Sequence, residues 1–380
     1  MQIITKLTNA CNFACVYCSE GENGHEYLPQ EIFFKLVDDL PELMQKLESN
    51  QIDFLFHGGE PLLYGRDKLE QLINYAQDHL KNFELRFLIQ TNGSLIDDDW
   101  IELFKKYDIS PGISFDGYPE LHDENRIFSD GRGTSEKILE NMHKLRDADI
   151  HFGSLMVLNT TQEIDVDKLF EFIKAEQMNP KIHSVIPCGR ADSRSDSTDV
   201  YKNYTSMMKK IYSKCVESEI DVEPLDELMN AILEVSSMHE CSFAGTCGTK
   251  FMCLYSDGVV GFCGRDDYAR NLSYGNLKDR SLTELYESSN AEKIRSRQKI
   301  LRDGLCKNCS DWDLCHGGCS FEAVNASGEL NSRYPFCSER REFLKYLRTD
   351  GLEILKQHLI NLKRQRRLQM QKKKRLLKNF

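Results

Sequence analysis

Several features typical of other protein classes are missing from this 380-residue sequence. No apolar run approaches the roughly 18 residues that a membrane-spanning helix needs. The N-terminus lacks a basic region followed by an apolar stretch and a cleavage site, so we expect no secretion signal. No internal repeat of fixed period is present either. We therefore expect a soluble cytoplasmic protein that does not contact a membrane.

Acidic residues are absent from the last 18 positions, although the whole chain has a net charge of −11. Residues 363–380 contain nine Lys or Arg, which leaves 40 basic against 60 acidic residues, or −20, in the rest of the chain. An acidic body is a poor general binder of nucleic acid. Most basic ends of this kind are solvated, while capture of an acidic leader peptide or of RNA is the functional alternative.

Cysteine, by contrast, is abundant. Fourteen cysteines in a chain without an export signal favour metal binding under reducing conditions over a disulfide framework. Eleven of them fall into recognisable ligand spacings, and three do not.

Short β-rich runs alternate with amphipathic stretches over residues 2–187. The runs are largely apolar, which is typical of parallel strands covered on both faces. The predicted strands are Ile3–Thr8, Ile52–Phe56, Leu85–Thr91, Pro111–Phe115, Phe152–Leu158 and Ile182–Ile186. The predicted helices between them are Glu31–Leu47, Lys68–His79, Asp97–Lys106, Ser135–Leu145 and Val166–Ala175. Six such units predict an α/β fold, a curved parallel sheet or partial (β/α)6 barrel, with the active site at the carboxyl ends of the strands.

The alternation stops after Pro187. Residues 189–198 are small and polar, as in a connector, and helices are predicted at Val200–Val216 and Leu225–Ser237. A terminal helix is predicted at Ser338–Leu362. We thus divide the chain into a partial barrel (1–188), a connector with helices (189–240), a cysteine-rich domain (241–340) and a C-terminal helix with a basic tail (341–380).

The motif Cys11-x3-Cys15-x2-Cys18 follows the first predicted strand. Three thiolates on one short loop can hold three irons of a cubane cluster and leave the fourth iron open to a small molecule. A zinc loop or a redox pair is the alternative reading of the spacing alone.

This loop, with Tyr17 just before its last cysteine, resembles that of the radical S-adenosylmethionine (SAM) superfamily. The resemblance implies a [4Fe-4S] cluster whose open iron is chelated by the amino and carboxylate groups of SAM. After reduction, such a cluster cleaves SAM to methionine and a 5'-deoxyadenosyl radical, and the radical removes a hydrogen from the substrate.

Three further strand ends carry motifs that the resemblance assigns to SAM. Gly58, Gly59 and Glu60 are similar to the GGEP motif that holds the SAM amino group, and Asn92 ends the third strand. Ser114 and Asp116 are expected to bind the ribose hydroxyls. An empty Gly-Gly turn and ordinary helix caps are the alternatives. His122-x3-Arg126 follows, and Arg126 is a candidate substrate or SAM contact or a surface ion-pair residue.

The C-terminal cysteines resemble the SPASM domain spacing by spacing, which implies two auxiliary [4Fe-4S] clusters and three clusters in total. By this resemblance one auxiliary cluster would be bound by Cys241, Cys247, Cys263 and Cys319, and the other by Cys306, Cys309, Cys315 and Cys337. A zinc ribbon is the alternative for the later run. Of the remaining Cys188, Cys215 and Cys253, each is expected in the core, and Cys188 is a weak candidate for a substrate-facing thiol.

The layout is similar to that of anaerobic sulfatase maturases, which oxidise a Cys or Ser of a sulfatase to formylglycine. Those enzymes carry an Asp base directly after the cysteine that matches Cys263, whereas this chain has Gly264. Asp266 and Asp267 follow, but a shift of two residues moves a carboxylate by several Å.

We therefore favour a maturase that installs a crosslink or an oxidised side chain in a ribosomally synthesised peptide. Sulfatase maturation, a small-molecule radical dehydrogenase and a non-catalytic zinc-binding scaffold are the alternatives. The expected partners are a peptide or protein substrate, a reductant such as flavodoxin or ferredoxin, and a separate leader-binding protein, because only ten residues precede Cys11.

Overall fold

A parallel sheet built in chain order forms the framework of the protein. The computed structural model describes residues 1–20, 23–160, 162–191, 197–265 and 271–377, without the side chains of 197–202 and 371–377. The first six strands lie side by side in the order β6-β5-β4-β3-β2-β1, and every neighbouring pair is parallel. They are β1 (Gln2–Thr8), β2 (Gln51–Gly58), β3 (Glu84–Thr91), β4 (Ser110–Ser114), β5 (Gly153–Leu158) and β6 (Pro180–Ser184).

Helices connect these strands, as the apolar periodicity predicts. They are α1 (Gln30–Lys46), α2 (Arg66–His79), α3 (Asp98–Tyr107), α4 (Pro119–Asn125), α5 (Ser135–Asp147) and α6 (Val166–Ala175), with a 3-10 turn at Pro61–Tyr64. The apolar face of each helix is buried; in α1 it includes Phe33, which packs against Phe54 and Phe56 of β2. Local signals set the boundaries: Asp97, for example, caps α3 by accepting a hydrogen bond from the Trp100 amide.

The cysteine-rich region joins the same sheet. Strand β7 (Phe251–Leu254) pairs parallel with the free edge of β1, and β8 (Val259–Gly261) and β9 (Gly275–Asn276) continue antiparallel from it. The sequence did not predict this extension, because strands of two to four residues carry too little periodicity to be recognised. The consequence is that the predicted second cysteine region is fixed directly beside the strand that leads to Cys11.

Helices form the rest of the chain. They are α7 (Ser197–Ser218), α8 (Leu225–Ile232), α9 (Cys241–Ala244), α10 (Leu282–Tyr286), α11 (Ser289–Asp303), α12 (Trp312–Cys315), α13 (Ser320–Ser327), α14 (Cys337–Tyr346) and α15 (Leu352–Leu377). A single wide turn at Leu347–Gly351 joins the last two. The predicted terminal helix is therefore confirmed in position but extends well beyond Leu362. Helix α8 ends at Ile232, five residues before its predicted end at Ser237. Glu234, two residues beyond the observed end, adopts a left-handed conformation.

None of the helices within the described ranges is long and apolar enough to cross a membrane.

Candidate functional site

The cysteine loop after β1 is held against the segment that follows α4. The Ala14 amide donates to the Ile127 carbonyl over 2.8 Å, and the Val16 amide donates to the Asn125 carbonyl over 2.9 Å. The ring of Phe13 packs edge-on against Phe128 at 5.1 Å between centroids. The backbone between the three cysteines is therefore fixed from one side.

The thiols of Cys11, Cys15 and Cys18, which we call the N-terminal set, lie close enough to influence one another. Burial raises the pKa of Cys11 to about 12 and that of Cys15 to about 11, and neighbouring thiols of the set add to both shifts. The Phe13 amide donates to the Cys11 sulfur over 3.4 Å. Buried sulfurs with a nearby backbone donor suit a bound iron–sulfur cluster, in which the thiolates are neutralised by iron.

A second segment reaches this loop from the far end of the barrel. Arg190 follows β6, and its guanidinium donates to the Cys15 carbonyl and to the Asn23 side chain, each over 3.1 Å. Its amide donates to the Cys18 carbonyl over 2.9 Å. Gly189 permits this approach, because a Cβ there would lie 2.3 Å from the Cys18 oxygen. Cys188, the weak candidate for a substrate-facing thiol, is buried in the core.

Gly58 and Gly59 allow the cysteine loop to come close to the end of β2. A Cβ at Gly58 would lie 2.2 Å from the Thr8 oxygen, and one at Gly59 would lie 2.3 Å from the Ala10 oxygen. The Gly59 amide donates to Thr8, and the Glu60 amide donates to Ala10, both over 2.8 Å. The two glycines are thus required by the packing of the protein itself, whatever ligand they also meet.

The Glu60 carboxylate is fully buried and accepts three hydrogen bonds. The donors are the Leu62 amide at 3.0 Å, the Thr91 hydroxyl at 2.7 Å and the Asn92 amide at 2.8 Å. Burial raises its pKa to about 7, although these hydrogen bonds oppose the shift. Glu60 therefore also fixes the end of β3.

Asn92 and Ser114, the next two predicted SAM contacts, are tied to their neighbours. The Asn92 side chain donates to the side-chain oxygen of Asn12 in the cysteine loop over 2.9 Å. Gln90 donates to the Ser114 hydroxyl over 3.0 Å. The structure thus brings the ends of β3 and β4 beside the N-terminal set, as their position at parallel strand ends predicts.

Asp116 lies at the centre of a buried polar cluster. Arg126 donates to its Oδ2 atom over 2.9 Å, the Val157 amide donates to Oδ1 over 2.8 Å, and the Tyr17 hydroxyl also donates to Oδ2. The Arg126 guanidinium also lies 5.4 Å from the centre of the Tyr17 ring. The prediction of a surface ion pair for Arg126 is therefore wrong: the pair exists, but both residues are buried.

His122 is fully buried and supports this cluster. Its ring stacks on Phe115 at 4.2 Å between centroids and accepts a hydrogen bond at Nδ1 from the Asp116 amide over 3.0 Å. Burial and the nearby Arg126 charge lower its pKa well below the usual value, so the ring is neutral.

Cys241, Cys247, Cys263 and Cys319, which we call the second set, gather around the end of β8 and the start of α13. The pKa of Cys241 is raised mainly by burial and then by Glu240, with further contributions from Cys247 and Cys263. The pKa of Cys319 is raised by burial and by Glu322, and also by Cys247 and Cys241. The structure thus brings these four thiols together, although Cys319 lies 56 positions after Cys263 in the chain.

The remaining ligand candidates, Cys306, Cys309, Cys315 and Cys337, form the third set. Burial raises the pKa of Cys306, and the next contributions come from the other three cysteines of this set. Between the second and third sets lies Arg297, whose guanidinium donates to the carbonyls of Gly317, Gly318, Leu330 and Ser332. Arg297 thus holds the loop that separates Cys315 from Cys319.

In the part of the chain that the structure describes, no three His, Cys, Asp or Glu side chains are arranged to hold a single metal ion. The cysteines of a cubane each bind a different iron, so a cluster requires a wider spacing than a single ion does.

A cavity of about 60 Å³ lies between the end of β6 and the cysteine-rich region. Its polar lining includes His183, Arg265 and Glu322. No hydrogen bond or ion pair among the described residues engages the Arg265 guanidinium or the Glu322 carboxylate, although Glu322 is buried. Although burial opposes it, the charges of Cys319, Cys263, Cys241 and Glu322 raise the pKa of Arg265, so Arg265 and Glu322 lie near each other beside the second set. Charged side chains that converge on a cavity are typical of a site for a polar ligand group.

The position after Cys263 does not face this cavity. A Cβ at Gly264 would lie 3.1 Å from Ile4 Cγ2 and 3.9 Å from the Cys253 sulfur, both in the sheet. An acidic side chain at position 264 would therefore be directed at apolar atoms of β1. Asp266 and Asp267, the substitute candidates, lie outside the described residues.

Sequence reasoning missed Arg265, Glu322 and Arg340 as site residues. Each lies two or three positions after a predicted cluster ligand, namely Cys263, Cys319 and Cys337. A charged residue two or three positions after a ligand cysteine was the signal in the sequence that could have identified them.

Comparison with known proteins agrees with this geometry. Residues 5–173 match the model of the radical SAM superfamily, and residues 241–310 match that of the SPASM iron–sulfur cluster-binding domain. The chain thus contains a radical SAM domain followed by a SPASM domain. It accordingly binds [4Fe-4S] clusters and SAM, and these matches weigh against the zinc-binding scaffold. The SPASM match ends before Cys315, Cys319 and Cys337.

Curated relatives extend over most of the chain. It is 28% identical over 336 residues to a cysteine-type anaerobic sulfatase-maturating enzyme of Clostridium novyi, covering 83% of this chain and 87% of the relative. It is 22% identical over 380 residues to a serine-type enzyme of Bacteroides thetaiotaomicron, covering 92% and 90%.

A solved structure confirms the α/β fold. Native anSMEcpe with bound AdoMet and Cp18Cys peptide superposes with a TM-score of 0.78 at 23% identity, over 94% of this chain and 99% of that one. Streptococcus suis SuiB bound to precursor peptide SuiA superposes with a TM-score of 0.60 at 16% identity, over 88% and 75%. The parallel sheet followed by a cysteine-rich domain is thus the radical SAM and SPASM architecture.

Proposed function

We propose that this enzyme modifies a side chain of a ribosomally synthesised peptide, by forming a crosslink or by oxidising the side chain. The observation that carries the proposal is the position of the N-terminal set beside the carboxyl ends of β1–β4, in the sheet that the cysteine-rich region extends through β7. A reduced [4Fe-4S] cluster with bound SAM supplies a 5'-deoxyadenosyl radical that can remove a hydrogen atom from a substrate. The described residues bind, orient and enclose the reactants.

We assign the cluster that binds SAM to Cys11, Cys15 and Cys18. Gly58, Gly59, Glu60, Asn92, Ser114 and Asp116 are the proposed SAM contacts, with Tyr17 beside them. Each of the carboxylates of Glu60 and Asp116 already accepts hydrogen bonds from three donors. SAM therefore has to use their remaining acceptor positions or displace a donor.

We assign one auxiliary cluster to the second set and another to the third set, which gives three clusters. What supports this grouping is that the thiols within each set contribute to one another's pKa shifts. A carboxylate and a guanidinium, Glu322 and Arg265, face the cavity beside the second set.

A peptide or protein is the proposed substrate. In support, curated relatives are named as sulfatase-maturating enzymes, and solved structures of the same fold were determined with bound peptides. A separate leader-binding protein and a reductant such as flavodoxin or ferredoxin are the further proposed partners.

Peptide maturation is favoured over sulfatase maturation by position 264. Gly264 has no proton acceptor, and its Cβ direction faces Ile4 rather than the cavity. Among the described carboxylates, Glu322 is the candidate proton acceptor, because it lines the cavity and has no ion-pair partner there. The other buried acid of the cavity, Glu240, is already paired with Lys181.

Sulfatase maturation is the second candidate, and the names of the curated relatives favour it. It requires that Glu322, or one of Asp266 and Asp267, replace the missing Asp.

The first experiment reconstitutes the protein anaerobically with iron and sulfide, counts iron and adds SAM with dithionite. We expect about twelve irons per chain, four per cubane, and release of 5'-deoxyadenosine. Combined replacement of Cys11, Cys15 and Cys18 by Ala should leave about eight irons and abolish SAM cleavage. The matched control Cys215→Ala should keep both. Zinc in place of iron, with intact SAM, would contradict the proposal.

The second experiment separates the two candidate substrates. The enzyme is incubated with a cysteine-containing sulfatase peptide and with precursor peptides encoded beside its gene, and the products are analysed by mass spectrometry and an aldehyde-trapping hydrazide. Loss of two hydrogens from a precursor peptide, without an aldehyde, supports peptide crosslinking. An aldehyde in the sulfatase peptide, with unmodified precursor peptides, establishes sulfatase maturation instead.

A further inference from the structure

Arg340 of α14 lies between the second and third cysteine sets. Its Nη1 atom donates to the Ser242 carbonyl over 2.7 Å and to the Cys315 sulfur over 3.8 Å. Ser242 directly follows Cys241 of the second set, whereas Cys315 belongs to the third. One guanidinium thus connects the two proposed cluster sites.

Two aromatic rings shield this guanidinium from water. Its central carbon lies 4.0 Å from the centroid of the Phe243 ring and 3.9 Å from that of Tyr334. Arg340 is only 9% exposed. An arginine remains charged in such a position, and its hydrogen bonds are stronger than they would be in water.

Neighbouring arginines do not make this contact. Arg297 donates to backbone carbonyls, and the exposed Arg341 pairs with Asp311 at 3.2 Å. Backbone amides donate to the sulfurs of Cys11 and Cys263. Among the described residues, Arg340 is the one whose side chain donates to a sulfur of the three sets.

Hydrogen bonds to cysteine sulfur and nearby positive charge set the potential of an iron–sulfur cluster. Reduction adds one negative charge, which a cationic N–H donor stabilises. We propose that Arg340 is a positioning residue that raises the reduction potential of the cluster held by the third set. The proposal rests on the cluster assignment made above. A higher potential makes that cluster a better acceptor for an electron released on substrate oxidation.

The test compares Arg340→Met, which keeps the length but loses the charge and the donors, with Arg340→Gln, which keeps an amide donor. Arg341→Met serves as the control for charge alone, because Arg341 lies near Cys309 and Cys337 but its side chain donates to Asp311 rather than to a sulfur. Each reconstituted protein is analysed by iron content and by an EPR-monitored redox titration without substrate. The signal of the third set is identified as the one that disappears in Cys309→Ala.

We expect about twelve irons in every Arg340 and Arg341 variant. In Arg340→Met the potential of the third-set signal should shift to a more negative value. Smaller shifts are expected in Arg340→Gln, which keeps a donor, and in Arg341→Met, which loses a nearby charge but no donor to sulfur. Wild-type potentials in both Arg340 variants overturn the proposal. If Arg340→Met loses iron, Arg340→Gln decides, and an unshifted potential there overturns it as well.

The cluster assignment fails in a different way. A wild-type protein with about eight irons, and no signal that depends on Cys309, refutes the third cluster itself rather than the role of Arg340.

Discussion

The phenol of Tyr17 donates a hydrogen bond to the carboxylate of Asp116, 99 residues further along the chain. Tyr17 lies between Cys15 and Cys18, whereas Asp116 follows β4 and is fully buried. This contact joins the cysteine loop to the opposite part of the sheet edge. The position of the proposed cluster therefore depends on a polar cluster that also includes Arg126.

Removing the Tyr17 hydroxyl should weaken this connection. We expect Tyr17→Phe to lower the free energy of unfolding by about 1.5–3 kcal/mol, because the lost hydrogen bond has a charged acceptor. The measurement is urea unfolding under anaerobic conditions. Tyr27→Phe is the control, since Tyr27 is 43% exposed. Equal effects of the two variants would contradict the importance of the contact.

Neutralising Asp116 should lower the free energy of unfolding by more than removing the Tyr17 hydroxyl does. Asp116→Asn leaves the buried Arg126 guanidinium without a counter-ion, which is expected to cost about 3–5 kcal/mol. The same urea experiment on Asp130→Asn serves as the control. Asp130 forms an exposed pair with Arg132, which water and salt screen, so this substitution should change the free energy of unfolding little. A similar loss in both variants would show that the burial of the first pair is irrelevant.

Gly59→Ala should disturb the cysteine loop. The new Cβ would lie 2.3 Å from the Ala10 oxygen, a backbone atom that cannot move without shifting the loop. We expect reconstituted iron to fall by about four per chain, the content of one cubane. At Gly153 no atom lies within 4 Å of an added Cβ, so Gly153→Ala should keep its iron. A full iron content in Gly59→Ala would rule out the steric argument.

His57 should make stability dependent on pH. Burial, together with the Lys6 charge, lowers its pKa to about 4, and Nδ1 accepts a hydrogen bond from the Gly58 amide over 2.7 Å. Between about pH 6.5 and pH 4 the unfolded chain binds a proton that the folded chain does not, so stability is full above pH 6.5 and falls with decreasing pH, by up to about 3 kcal/mol.

The pKa values of His122 and His183 are lowered as well, so they add to the same pH dependence of stability. Comparison of the wild type with His57→Gln isolates the contribution of His57. Urea midpoints measured from pH 7.5 to pH 5 should decline less steeply in this variant than in the wild type. His25→Gln, at an exposed position, should leave the slope unchanged. Parallel curves for wild type and His57→Gln would refute the assignment.

Much of the fold could be predicted because its signals are local. Each of the six parallel strands is a short apolar run, and five predicted helices agree with α1, α2, α3, α5 and α6 to within about two residues. The cysteine spacings likewise indicated iron–sulfur chemistry, since ligands on one loop are encoded within a few residues. Strand β7 escaped prediction because its identity depends on pairing with β1, 249 residues away at Gln2↔Phe251.

The sequence by itself determined the class of cofactor and the order of the strands, since spacing and periodicity are properties of neighbouring residues. Only the tertiary structure decided which side chains share an environment. It enclosed Asp116 with Tyr17 and Arg126, directed position 264 away from the cavity, and put Arg340 against Cys315. These contacts join segments far apart in sequence, so they follow from packing and not from any local pattern.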